Sequence, residues 1–285
     1  MKFNILIIKL KDSYKKLTIP QFTIITGLII ICLGTLILSS PWCSTSDVGI
    51  WEAFFTSTSA ITVTGLTVID IGQDLTVLGQ IFLAFMLLSG GLGLMAITTF
   101  LQGFVVKGAK LRTRLDKGNT LDEFGVGGIG RTFKSITITA AIIISLGAII
   151  LFCFGFIDIS NTWERLWASI FHSISAYNNA GFSIWSSSIY SYRTNFLVNF
   201  VFIVLIILGG LGWRVIDDIW NNRKNLSYKK LSLHSKLVLR TTFNLIIFGS
   251  VGFLITESLL NGQFFADLNF GERMLASLFE TVSAR

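Results

Sequence analysis

Charge is scarce in this sequence. Asp, Glu, Lys and Arg make up 14% of the 285 residues, whereas 52% are hydrophobic. A soluble domain carries about 25% charged residues, so this chain has too few polar groups to clothe itself in water, and its surface suits lipid. Cysteine is scarce too. Cys32, Cys43 and Cys153 are odd in number, two of them stand in apolar runs, and no C-x-x-C spacing occurs. A disulfide framework and a cysteine metal site are both excluded. No His, Asp or Glu cluster stands at membrane depth, which speaks against a membrane-embedded enzyme, a transition-metal site or a bound cofactor. The net charge of +7 is segregated by segment and points to membrane orientation, not to nucleic acid.

What the chain does have is apolar length. Stretches of spanning length stand at about 20–40, 76–103, 135–157, 195–216 and 237–260, each near the roughly 20 residues that cross a hydrocarbon core. The first is too long for a signal-peptide core of about 7–15 residues, and Pro41-Trp42 before Cys43 is no cleavage site. It reads as a retained span. Shorter, partly apolar stretches at about 49–61, 163–176 and 271–284 are expected to enter the membrane as helices and turn back. A 13-residue helix rises only about 20 Å.

The order is span, short, span, and it recurs. The short stretches read WEAFFTSTSAITVTGL, LWASIFHSISAYNNAGF and LASLFETVSAR. Phe55, Phe171 and Phe279 share one column, and Ser59-Ala60, Ser175-Ala176 and Ser283-Ala284 share another, with offsets of 116 and 108 residues. Gly65 and Gly181 keep the 116-residue offset, and Gly90-Gly91-Leu92-Gly93 recurs as Gly209-Gly210-Leu211-Gly212. Several columns at one period define an internal repeat. The reading is a cytoplasmic N-terminus (1–17), a first unit (18–103), a loop (104–134), a second unit (135–220), a loop (221–236) and an incomplete third unit (237–285).

Charge orients these units. The N-terminal segment, the 103–134 loop and the 214–240 segment hold 19 Lys and Arg against 6 acids, whereas 41–75, 156–193 and 257–285 hold 4 Arg against 10 acids. The positive-inside rule places the first set in the cytoplasm. The short stretches then enter from outside, in a multi-pass protein of the cell membrane. Asp47, Glu52, Asp70 and Asp74 fall at the external mouth, as attractors of cations or as solvated loop charges.

Non-helical backbone at membrane depth survives only when buried in protein or lining a watery cavity. After each of the first two short helices comes such a segment with a glycine: Thr62-Val63-Thr64-Gly65, then Asn178-Asn179-Ala180-Gly181. Glycine takes backbone angles closed to other residues and lets successive carbonyls point one way. A ring of carbonyls can replace the water around a potassium ion. Each short helix also aims the partial negative charge of its C-terminal end at the same place. The expected fold is therefore an all-α membrane protein, with span–re-entrant helix–span units around an ion pore as in potassium channels. The ion-binding candidates are Thr62, Val63, Thr64, Gly65, Asn178, Asn179, Ala180 and Gly181. For the two GGLG elements, close helix packing is the expected role.

These stretches carry a resemblance. FFTSTSAITVTGL, SGGLG, IFHSISAYNNAGF, LGGLG, LSLHSKLVL and LASLFETVSAR resemble the Trk/Ktr/HKT superfamily of potassium transporters, most closely the KtrB-type subunit, from about residue 18 to the end. The resemblance implies four such units around one pore, with Gly65 and Gly181 as the first and second filter glycines. Glycine at 65 resembles the potassium-selective members, and a sodium-permeable member is the alternative. Implied partners are membrane lipid, a second copy in a homodimer of full-length subunits, and a cytosolic nucleotide-binding regulatory subunit. A bacterial source is expected. Against that pattern Arg285 falls in the column of Ile61 and Tyr177, so the chain is expected to be a fragment of about two and a half units and not to conduct alone.

Other residues read more plainly. Gly125 to Gly130 formally matches G-x-G-x-x-G, but it lies outside a βαβ context and reads as a flexible loop. His172 is expected to be hydrogen-bonded behind the filter, and His234 to be a loop residue. Glu280 is unusual for a membrane depth and is expected to bond near the filter. Arg112 and Arg114 read as headgroup anchors or partner contacts. Trp42, Trp51, Trp163, Trp167 and Trp220 fall near membrane boundaries, where Trp concentrates.

Overall fold

The computed structural model describes residues 19–93, 126–223, 230–259, 265 and 267–285. The basic N-terminal segment, Arg112, Arg114 and the end of the second expected span lie outside the described residues. The described residues are mostly helical, with no named strand among them and an isolated antiparallel bridge between Ser44 and Leu75.

In chain order the helices are α1 (Ile19–Leu38), α2 (Ile50–Thr62), the single turn α3 (Ile71–Asp74), α4 (Val77–Gly93), α5 (Val126–Ile150), α6 (Thr162–Tyr177), α7 (Phe196–Leu211), α8 (Trp213–Asn221), α9 (Leu233–Leu259) and α10 (Phe270–Ala284). A π-helical turn, Leu151–Gly155, prolongs α5. By length and composition, Lys134–Gly155 and Leu233–Leu259 can cross a membrane, and α7 with α8 makes a third span if the bent pair counts as one. The apolar helices Ile24–Leu38 and Val77–Gly93 are shorter.

Two expectations are corrected. The glycine-rich stretch expected as a loop is helical from Val126 onward, because each helical residue added to a formed helix gains a hydrogen bond. The apolar run 195–216 is not one straight helix. It bends by 95° between Leu211 and Trp213, at Gly212, whose φ of 83° is one that glycine adopts at little cost.

Burial separates the helices into two kinds. Along α6 every residue from Phe171 to Tyr177 is buried, although three of them are serine or histidine. Along α9 only Ser235 and Thr242 are buried, while Phe243, Phe248 and Leu259 stand 63%, 75% and 76% exposed. A helix apolar on its outside and buried at its polar positions is packed for lipid. The core gathers around α6, with Leu83, Met86 and Leu87 of α4 and Phe171 and Tyr177 of α6 in one cluster. A second cluster joins α7 to Val282 of α10. The short helix α6 thus ends inside the molecule.

Candidate functional site

The ends of α2 and α6 share one hydrogen-bond pattern. Val63 N–H donates to Ala60 O at 3.3 Å and Thr64 N–H to Ser59 O at 2.9 Å; Asn179 N–H donates to Ala176 O at 3.0 Å and Ala180 N–H to Ser175 O at 2.8 Å. This paired closure is the Schellman motif, which needs a left-handed residue just past the helix. The residues found there are Val63 (φ 54°) and Asn179 (φ 51°), neither of them glycine. A β-branched residue in that region is an outlier, and such strain concentrates at functional sites. Two residues on, Gly65 (φ 82°) and Gly181 (φ 72°) again have positive φ. Each turn therefore alternates positive φ at positions two apart.

Serine side chains hold the outgoing limbs. Leu66 N–H donates to Ser59 Oγ at 2.9 Å, and Ser175 Oγ donates to Phe182 O at 2.7 Å. Both serines are buried. The sequence columns contained them but gave no hint of this bond.

The two turns meet. A Cβ built on Gly65 would lie 2.1 Å from Ala180 O and 3.3 Å from Gly181 Cα. A Cβ on Gly181 would lie 3.6 Å from Gly65 Cα. Gly65 is thereby brought against Ala180 and Gly181, while the Thr62 and Thr64 hydroxyls pair with each other at 2.7 Å. A depression of about 350 Å³ opens at the contact, lined by Gly65, Asp70, Ile71, Gly181, Ser183 and Trp185 among others. A second cavity of about 340 Å³ also touches Gly181 and runs to Asn179, Glu280 and Ser283. There Asn179 Nδ2 donates to Ser283 O at 2.8 Å, tying the second turn to α10.

The glycine pairs pack as close-approach residues. A Cβ on Gly90 would stand 2.3 Å from Ile61 O, and one on Gly209 only 1.7 Å from Tyr177 O. Each first glycine thus lies on the last carbonyls of the preceding short helix. The second glycines reach the next one: a Cβ on Gly91 would meet Asn178 Oδ1 at 1.8 Å, and one on Gly210 would meet Arg285 Nη2 at 3.4 Å.

His172 is 1% exposed. Its Nδ1 stands 2.8 Å from Ala168 O and its Nε2 3.0 Å from Ser183 Oγ, and its ring stacks on Trp185 with centroids 4.1 Å apart. Ser183 and Trp185 carry no signal in the repeat columns. Glu280 is half-buried against the second cavity, and its backbone carbonyl accepts from Ser283 Oγ.

Several acids at this end serve as caps. Glu52 accepts from Gly49 N–H, Asp70 from Gly72 and Gln73 N–H, and Asp74 from Asp70 N–H and the Ser46 hydroxyl. Asp70 alone of these lines the depression.

This arrangement can present backbone oxygens and helix C-terminal dipoles to a cation between two turns without a charged side chain.

Comparison with known proteins follows the same lines. A family model described as TrkH, cation transport protein, matches residues 10–285. The Ktr system potassium uptake protein B of Bacillus subtilis (strain 168) is 33% identical over 280 residues, covering 96% of this chain and 60% of that protein. Its counterpart of the same name in Vibrio alginolyticus is 34% identical over 274 residues, with 93% and 58% covered. The potassium/sodium uptake protein NtpJ of Enterococcus hirae is 33% identical over 282 residues, with 97% and 60% covered. The crystal structure of the potassium transporter TrkH from Vibrio parahaemolyticus has the same fold, with a TM-score of 0.62 at 19% identity over 94% of this chain and 51% of that one. The chain thus spans about three fifths of the length of these curated relatives.

Proposed function

Because the chain belongs to the TrkH family of cation transport proteins, we propose that it forms part of the pore of a potassium-uptake subunit. The observation that carries this reading is the contact of the two glycine turns, with Ala180 O directed at Gly65. Potassium leaves water only if other oxygens replace its shell, since an unshielded charge in hydrocarbon costs tens of kcal/mol in the Born limit. Carbonyls of Thr62 to Gly65 and of Asn178 to Gly181 supply those oxygens. Entry is driven by the membrane potential, worth about 2.3 kcal/mol per charge per 100 mV, and no covalent chemistry takes part.

The unit organisation read from the repeat accompanies this role: 18–103, 135–220 and 237–285 each contribute one re-entrant helix. Gly91 on Asn178 and Gly210 on Arg285 support a sequential order of units around the axis. The basic segments lie in the cytoplasm and the depression at Asp70 faces outside. The whole transporter works as a homodimer with a cytosolic nucleotide-binding subunit, by analogy with the family. Sodium is the second ion to weigh, since one relative is named a potassium/sodium uptake protein.

The test is growth of a potassium-uptake-deficient bacterial strain on low potassium. The chain joined to the C-terminal remainder of the Bacillus subtilis relative is expected to restore growth. Absence of rescue by the joined protein, when it is present in the membrane, would contradict the reading.

A further inference from the structure

Helix α8 has no part in the turns described above, yet it is sharply two-sided. Trp213, Val215, Ile216, Ile219 and Trp220 fall on one arc of its wheel, and Arg214, Asp217, Asp218 and Asn221 on the other. It leaves α7 at 95°. The 16 residues of α7 rise about 24 Å, less than a hydrocarbon core of about 30 Å. The chain therefore turns while still at the inner edge of the apolar layer, and α8 runs along that edge.

Its ends are fixed to neighbouring helices on the basic face of the protein. Trp213 Nε1 donates to Ser135 Oγ near the start of α5 at 3.3 Å, and Ser232 N–H donates to Asp218 Oδ2 at 2.9 Å beside the start of α9. Val215 is fully buried. Trp220 is not: it is 64% exposed, with the Arg223 guanidinium 4.4 Å from its ring centroid. Arg223 and Lys230 are both exposed, and neither has a carboxylate within ion-pair distance among the described residues.

We propose that α8 is a membrane-surface helix whose Trp220–Arg223 end, with Lys230, seats the phosphate of an anionic phospholipid. An exposed Trp beside two cations without a carboxylate in reach among the described residues, on a helix that packs against the lipid-facing α9, has the chemistry of the headgroup layer. The indole enters the acyl boundary, and the guanidinium and ammonium meet a negative surface. A soluble partner would need a patch facing away from the membrane, and the outward arc of α8 is where Asp217 and Asn221 stand.

The experiment uses the full 285-residue chain with Cys32, Cys43 and Cys153 replaced by serine and Trp220→Cys labelled with an environment-sensitive dye. It is reconstituted in phosphatidylcholine vesicles containing brominated phosphatidylglycerol or, at the same mole fraction, brominated phosphatidylcholine. Quenching is expected in both and about twofold stronger with the anionic lipid, a difference that salt reduces. Arg223→Gln with Lys230→Gln is expected to abolish the difference while leaving the quenching itself. Equal quenching by the two lipids in the unsubstituted background would overturn the headgroup site. Absence of quenching by either would overturn the surface position and favour a soluble partner.

Discussion

The imidazole of His172 joins α6 to Ser183, two residues beyond Gly181 in the chain, with Nε2 3.0 Å from the hydroxyl. The Ala168 carbonyl can only accept, so Nδ1 at 2.8 Å carries the proton. In the neutral ring Nε2 then accepts from the Ser183 hydroxyl, whose oxygen takes the Trp185 N–H at 3.1 Å. One buried side chain thus fixes the limb that leaves the second turn. In the first unit the same column holds Thr56, whose buried hydroxyl has no hydrogen-bond partner among the described residues.

His172→Ala is expected to destabilise by about 3–5 kcal/mol, as for other large buried rings. His172→Phe keeps the stack on Trp185 but strands the Ser183 hydroxyl, at about 1–3 kcal/mol. Denaturant unfolding of the detergent-solubilised chain ranks the two. Phe costing nothing would show that the polar contacts carry nothing.

Gly90→Ala and Gly209→Ala place a methyl into backbone carbonyls of Ile61 and Tyr177, which cannot move without moving α2 and α6. Gly252→Ala, in the interior of α9 with open space around it, is expected to be neutral or to stabilise by up to about 1 kcal/mol. Thermal unfolding should separate the first two sharply from the third. Three similar values would refute the close packing.

How much of this was legible beforehand follows from range. The apolar stretches and the 116-residue columns depend on neighbours in sequence, and helices, glycine turns and glycine pairs stand at those places. Gly65 and Ala180 stand 115 residues apart in the chain, and their backbones meet. The bend at Gly212 was not legible, because the apolar run 200–213 continues across it and composition does not reveal the φ a glycine adopts. Nor was the His172–Trp185 stack, since thirteen residues and a turn separate the partners. The acids near Asp70 could not be sorted from sequence into caps and mouth residues, because capping depends on where a helix starts.

Tyr192 tests the loop between α6 and α7. Burial first, then the 2.6 Å bond to Asp158 Oδ2 and its charge, push its phenol above the ordinary tyrosine value of 10.0. The folded state therefore holds this proton more tightly. The stability it confers is fully present below pH 10 and is lost as pH rises through the folded-state value. Difference absorbance against Tyr192→Phe should place its ionisation above that of free tyrosine, and Asp158→Asn should lower it. An ordinary titration for Tyr192 would contradict the contact.

Orientation is open to labelling in intact cells. Cysteines substituted for Asp70 and for Lys230 are expected to react with a membrane-impermeant maleimide from opposite sides, the first from outside. Reaction of both from one side would contradict the proposed topology.

The most direct measurement is the preference for rubidium over sodium uptake in the chain joined to its relative's C-terminal remainder, before and after Gly65→Ser. A side chain at 65 must displace Ala180 O, so oxygens that replace an ion's water shell lose their geometry. The preference is expected to fall about tenfold, equivalent to roughly 1.4 kcal/mol, with protein level unchanged. An unaltered preference would contradict the claim that these two turns select the ion.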